Sequence, residues 1–286
     1  MSFRKWVLFI LSTAIIISVV LAPPHIISVF KDSAEKSESI NLPVLMYHSI
    51  IPDSSKSGKY VITPQKFEED LLYLEQKGYT TISAKQLIRY VYANGELPEK
   101  PVIITFDDGM YNNMEYAVPI LEKHGACAIF SVVGSYTDEY TESNIVNPTY
   151  SYLRWADIAS LSERGCVEFG NHSYDFHSIS PKRYGIQKNK SEDSLEYINV
   201  FYQDTQKMQS EFFSHCNYRP IIYTYPFGSY SKESSRVLEK MEFLISFSCS
   251  EGINKITRDG DCLFMLKRYN RDGRPSTWQF FSKLKI

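Results

Sequence analysis

A basic excess is missing from this chain: 31 Lys and Arg stand against 33 Asp and Glu, a formal net charge of −2. That argues against a nucleic-acid binder, whose phosphate partner calls for clustered positive charge. Close cysteine pairs are missing too. Cys127, Cys166, Cys216, Cys249 and Cys262 are odd in number and scattered, which excludes zinc-finger spacing and limits disulfides to two. All but Cys216 fall in or beside apolar strand-like runs, so buried free thiols are expected, a choice that fits a reducing or anaerobic setting. No internal repeat or low-complexity tract occurs. Histidine is scarce, six in 286 residues, and none follows His215.

Against that scarcity, two clusters stand out. Asp107 and Asp108 are adjacent and followed by Gly109, at the tip of a β-branched run over 101–106 that reads as a buried strand. His172 and His177, five positions apart, follow a second short strand over 166–169. Strand neighbours point to opposite faces, but the turn that Gly109 permits can bring both acids to one rim. Two strand ends then supply one oxygen and two imidazole ligands, a set that suits Zn²⁺ or a similar divalent ion with positions left for water and substrate. Read separately, the clusters are an acidic turn and surface histidines; together they describe a metal-dependent hydrolase.

These residues carry a resemblance. Residues 105–109, Thr-Phe-Asp-Asp-Gly, and the pair His172-Ser173 with His177 resemble the first two motifs of the polysaccharide deacetylases, carbohydrate esterase family 4 with its NodB homology domain. The common second motif spaces its histidines four apart; the spacing of five is similar to the branch containing the biofilm poly-N-acetylglucosamine deacetylases, as are Leu45-Met46-Tyr47-His48 and Tyr225-Pro226-Phe227-Gly228. The likeness spans roughly 42–269. It implies an incomplete or distorted (β/α) barrel and one divalent ion, Zn²⁺ ahead of Co, Ni or Fe, held by Asp108, His172 and His177. Asp107 is then the base, and Tyr225, with Phe227, marks the oxyanion and substrate side.

Two family features are absent. The Arg that normally precedes the third motif and holds the catalytic Asp is replaced by Thr224, and the late histidine that supplies the general acid does not occur. His48, at the end of a strand over 43–47, is the candidate acid, and the resembled branch places a histidine this way. Arg268, at the end of the apolar run 263–266, is the candidate substitute for the Arg. Asp175 is a candidate partner that orients one histidine.

The resemblance implies hydrolysis of N-acetyl groups from an N-acetylglucosamine polymer. Peptidoglycan or acetylated xylan are alternative substrates within that chemistry. A glycosidase built on paired acids leaves the histidines unexplained and wants a wider gap, about 5 Å or more. From another class, the missing motifs fit a carbohydrate-binding surface protein with a decayed site.

Arg4 and Lys5 precede 17 uncharged residues, 6–22, and two prolines. This lies at the short limit of a spanning helix, roughly 17 to 25 residues, and is read as a signal-anchor that leaves the rest of the chain outside the membrane, or secreted if the segment is cleaved. The expected divisions are a signal-anchor region over 1–30, a polar tether over 31–41 and a catalytic domain over 42–286. Within the last, strands are expected over 79–82, 102–106, 126–133, 221–225, 243–247 and 263–266, and helices over 64–77, 84–92, 114–123, 155–164, 194–213 and 232–240. Residues 135–152 and 178–193 are expected to be rim loops. The alternation predicts parallel strands with covering helices.

Overall fold

The computed structural model describes residues 39–180, 183–284 and 286. The signal-anchor region and residues 31–38 of the tether lie outside the described residues, and among the described residues no helix is long and apolar enough to cross a membrane. Residues Ile40–Ile286 form one compact unit. It starts two residues before the expected boundary, because Ile40–Leu42 pairs antiparallel with Asn254–Ile256 and Leu42 is fully buried.

Eight parallel strands form the sheet: β1 (Val44–Tyr47), β2 (Thr80–Thr81), β3 (Pro101–Phe106), β4 (Ala128–Val132), β5 (Val167–Asn171), β6 (Ile222–Thr224), β7 (Ile245–Phe247) and β8 (Tyr269–Asn270). Their order is β7-β6-β5-β4-β3-β1-β8, with β2 paired to β3. The helices are α1 (Pro64–Gln76), α2 (Ala84–Tyr92), α3 (Val118–Lys123), α4 (Gly134–Ser143), α5 (Trp155–Ser162), α6 (Ser194–Cys216), α7 (Lys232–Lys240) and α8 (Thr277–Leu284). The sheet curls into a distorted, incomplete barrel. The irregular segment 266–268 spans the gap between its edges: Leu266 exchanges backbone hydrogen bonds with Ser246 and Ser248, and Tyr269 then pairs with Leu45 of β1.

Strand alternation decides what faces where. On β3, Val102, Ile104 and Phe106 join the core that α1 covers, where Phe67 packs edge-on against Phe106 with ring centroids 5.4 Å apart. Thr105 and Asp107 take the opposite face. Thr63 caps α1 by accepting from Lys66 N–H, and Pro64 occupies the first helical turn where no N–H is needed. A fully buried pair, Asp70 on α1 and Arg271 after β8, joined at 2.7 and 2.9 Å, fastens the last segment to the barrel. Tyr47 and Thr277 also donate to Asp70.

Five expectations change. The apolar run over 263–266 is no strand: it leaves a short 3₁₀ turn, Gly260–Leu263, Met265 adopts φ 58°, and only Leu266 makes a single bridge, to Phe247, before the strand at Tyr269. The span 135–152 contains α4, and 178–193 contains the hairpin Ile179–Ser180 with Arg183–Tyr184. The helix expected over 114–123 begins as a π-helical turn, Asn113–Ala117, with Pro119 in the α-helix that follows. The cysteines are free thiols, but none is fully buried and Cys249 is exposed.

Candidate active site

The carboxyl ends of β1, β3, β5 and β6 deliver His48, Asp107 with Asp108, His172 and Tyr225. This is the rim at which a parallel barrel gathers its reactive side chains. Asp108 would point away from Asp107 if the strand continued. Instead it takes φ 70° and Gly109 takes φ 73°, which swings its carboxylate toward the histidines. Glycine is required at 109 by close approach as well, since a Cβ there would meet Val132 Cγ1 at 2.7 Å.

Asp108 Oδ1 lies 3.1 Å from His177 Nε2 and 3.5 Å from His172 Nε2. One donor atom from each of the three lies within 4.8 Å of the others. His172 Nδ1 sits 2.8 Å from the Thr224 carbonyl, which can only accept, so the proton is on Nδ1 and the Nε2 lone pair faces Asp108. An anionic oxygen and two neutral imidazoles, one with its tautomer fixed from behind, are the donors a divalent ion such as Zn²⁺ takes, and the residues fit that group. Burial pushes the Asp108 carboxyl up, but its contacts with the His172 and His177 rings outweigh it and leave it well below the usual carboxylate range.

Asp107 is bound differently. Arg268 donates to both of its oxygens, Nη1 to Oδ1 and Nη2 to Oδ2, each at 2.7 Å. The same guanidinium donates to Thr105 Oγ1 and, through Nε, to the Ser248 carbonyl. Burial raises the Asp107 carboxyl and the Arg268 charge more than offsets it, so the net shift is downward and Asp107 stays ionised. Arg268 therefore stands where the motif lacked its Arg, reaching up from the barrel interior.

His48 is partly buried against the ring of Tyr60, centroids 4.6 Å apart, with its carbonyl held by Asn113 Nδ2. Its Nδ1 is buried without a hydrogen-bond partner. Burial lowers its pKa, and the carboxylates of Asp107 and Asp108 pull partly the other way.

Two expected roles do not match the geometry. The Tyr225 N–H donates to the Phe247 carbonyl at 3.1 Å and its buried ring packs on Tyr223, so it is not open to substrate. Phe227, at φ 57°, is the member of that stretch at the mouth, its ring 4.5 Å from that of His177. Asp175 is exposed and orients neither histidine; the Thr224 carbonyl holds His172 instead. A main-chain acceptor carries no sequence signal, so it could not be read from residue types. Asp204 was missed as well: its carboxylate accepts from the N–H groups of Tyr174 and Asp175 between the two histidines.

Comparison with known proteins bears on the family and the fold. The family model described as polysaccharide deacetylase matches residues 94–245. The protein YxkH of Bacillus subtilis (strain 168) is 26% identical over 213 residues, 74% of this chain and 65% of that protein, so the chain spans just under two thirds of its length. A Staphylococcus aureus (strain MSSA476) protein named poly-β-1,6-N-acetyl-D-glucosamine N-deacetylase is 23% identical over 267 residues, 88% of each chain. The solved structure of IcaB from Ammonifex degensii shares the fold, with a TM-score of 0.70 and 23% identity over 86% of this chain and 97% of that one.

Proposed function

We propose, from the premise that this chain belongs to the polysaccharide deacetylase family, that it removes N-acetyl groups from an extracellular polymer of poly-N-acetylglucosamine type and releases acetate. The observation that carries the reading is the Arg268–Asp107 pair beside the Asp108, His172 and His177 set: the anchoring Arg that the motif lacks is supplied from elsewhere in the chain. That speaks for a working enzyme over a decayed binding module. The name of the Staphylococcus aureus relative, matched over 88% of its length, favours this polymer over peptidoglycan or xylan.

Asp108, His172 and His177 would hold the divalent ion, with Zn²⁺ the best match to their donors. When bound, the ion lowers the pKa of water toward about 7 and polarises the acetamide carbonyl. Asp107, ionised and fixed by Arg268, accepts the proton of the attacking water. The oxyanion needs a donor at the mouth, and the main chain at Phe227 replaces Tyr225 in that role. His48 in its protonated form gives a proton to the departing nitrogen, which must leave as an amine rather than an amide anion. Its burial keeps the proton weakly held and easily transferred. The apolar segment 6–22 supports a membrane-tethered domain on the outer face, or a secreted one.

Acetate release from β-1,6-linked N-acetylglucosamine oligomers, compared with peptidoglycan fragments and acetylated xylan, tests the proposal. Release from peptidoglycan alone would overturn the polymer assignment, and none from any substrate by a metal-loaded protein would overturn the activity.

A further inference from the structure

His172 and His177 are five positions apart, a separation that corresponds to no single face of a helix or strand. Regular backbone structure therefore does not set the distance between their rings. Hydrogen bonds within the loop and from outside it do. Ser173, at φ 72°, donates to Asn171 Oδ1 at 2.8 Å, and Phe176 N–H donates to Ser173 Oγ at 3.2 Å. The two central amides, Tyr174 and Asp175, donate to Asp204 Oδ1 at 2.9 Å and Oδ2 at 2.7 Å. Asp204 lies on α6, 30 residues from Tyr174 in sequence. It is a carboxylate used as a two-pronged clip for adjacent amides, the charge-assisted bond that a backbone turn can receive from a side chain.

The opposite side of the loop is held by α4. Gly134 and Ser135 N–H donate to the carbonyls of Ser173 and Tyr174 at 3.1 and 2.8 Å, and Tyr136 hydroxyl donates to the carbonyl of His177 at 3.0 Å. A Cβ at Gly134 would meet Tyr174 Cδ2 at 2.5 Å, so helix and loop pack without a gap. With α4 taking the carbonyls and Asp204 the amides, the loop has one backbone arrangement in which every named contact is made.

We propose that Asp204 is a positioning residue for the metal: by holding the Tyr174 and Asp175 amides on its two oxygens it fixes the spacing of His172 and His177, and so sets the affinity of the site for its divalent ion. It touches neither the ion nor the substrate. The role rests on the assignment of Asp108, His172 and His177 as ligands. Partners that orient ligands typically change metal affinity about 10- to 100-fold when removed.

The test is a Zn²⁺ titration of the metal-free full chain against a chelating dye, with thermal unfolding of each metal-free protein measured alongside. Asp204→Ala is expected to bind Zn²⁺ about 10- to 100-fold more weakly. Asp204→Asn keeps one acceptor but turns an NH₂ toward the second amide, and is expected to fall between Asp204→Ala and wild type. Gln203→Ala, on the exposed side of the same helix, is expected to match wild type. Amide hydrogen exchange at Tyr174 and Asp175 in the metal-free protein should quicken in both Asp204 variants. Should Asp204→Ala fail to fold, the Asp204→Asn affinity and exchange decide the matter. Wild type that takes up no Zn²⁺ overturns the ligand assignment and this proposal with it. Normal wild-type binding with both Asp204 variants within about twofold of it overturns the positioning role alone, since a clip that merely packs helix against loop would leave affinity unchanged.

Discussion

Arg268 and Asp107 are 161 residues apart in sequence and meet in a two-pronged ion pair with both N–O distances at 2.7 Å, closed off from solvent on each side. The Arg enters from below: Tyr269 is in register with Leu45 and Leu45 with Ile104, so Arg268 starts about four residues beneath the acid it holds. Only a long, forked side chain spans that depth and still meets both oxygens.

Arg268→Lys should therefore behave as a drastic change. The charge is kept, but one ammonium cannot occupy both sites of the fork. Turnover is expected to fall about 10²-fold or more, the scale of a misplaced general base, with metal content retained. Because Arg268 is what draws the Asp107 carboxyl downward, Arg268→Met should raise it, and the acid limb of the rate profile should move to higher pH. A rate profile with an unmoved acid limb in Arg268→Met would show that this limb does not belong to Asp107.

The two neighbouring acids should separate in their effects. Asp107→Asn is expected to keep the divalent ion and lose most turnover, whereas Asp108→Asn should lose both, since a neutral amide replaces the anionic ligand. Metal analysis of the purified variants reads the difference directly. Equal metal content in the two would mean that the division of roles is wrong.

His48→Ala is expected to lower turnover by about 10²- to 10⁴-fold with metal content and folding intact. As the proposed acid His48 must be protonated, so the rate should decline on the alkaline side, and burial places that decline on the acid side of an ordinary imidazole. Loss of the side chain should flatten the alkaline limb. Near wild-type turnover with that limb unchanged would assign the proton to another group or to water.

A fourth prediction concerns stability away from the site. His124 bridges Glu75 at 2.9 Å and Glu68 at 3.1 Å. Burial lowers its pKa, but the two glutamates raise it by more, so the folded value lies above that of the unfolded chain. The stabilisation is then complete below the unfolded value of about 6.5 and disappears as pH rises through the folded value. His124→Gln should lower the melting temperature more at pH 6 than at pH 8.5. An equal loss at both would show that the protonated imidazole contributes nothing.

How much of this could be read from residues alone follows from what each element depends on. β3 was legible because a strand buried on both faces is a continuous apolar run, and its acids were legible because they break that run at the tip. α4 was not: Gly-Ser-Tyr-Thr-Asp-Glu-Tyr-Thr-Glu-Ser carries no apolar stripe, and the helix forms where its first N–H groups find the carbonyls of the histidine loop. The run over 263–266 misled for the opposite reason. It is apolar enough for a strand, yet it turns at Met265 and pairs at Leu266 alone, so the next strand starts at Tyr269. Tyr225 misled because chain position does not reveal that a strand partner, Phe247, already uses its amide. Asp204 had no signal at all, since a lone acid in an otherwise ordinary helix becomes meaningful only when the loop it serves folds against it.

The segment that bridges the barrel edges also fixes the order in which the site can be completed. Both acids, both imidazoles and His48 are made before position 178, but the guanidinium that keeps Asp107 charged arrives only at position 268, just ahead of β8. Until then the acid faces a half-built interior with no cation beside it, where an uncompensated carboxylate takes up a proton and is no base. The ligand set is late as well, since the Asp204 clip on the histidine loop and the Thr224 carbonyl behind His172 both follow position 178. The pair of Asp107 with its cation is therefore complete only when the last strand of the sheet is in place.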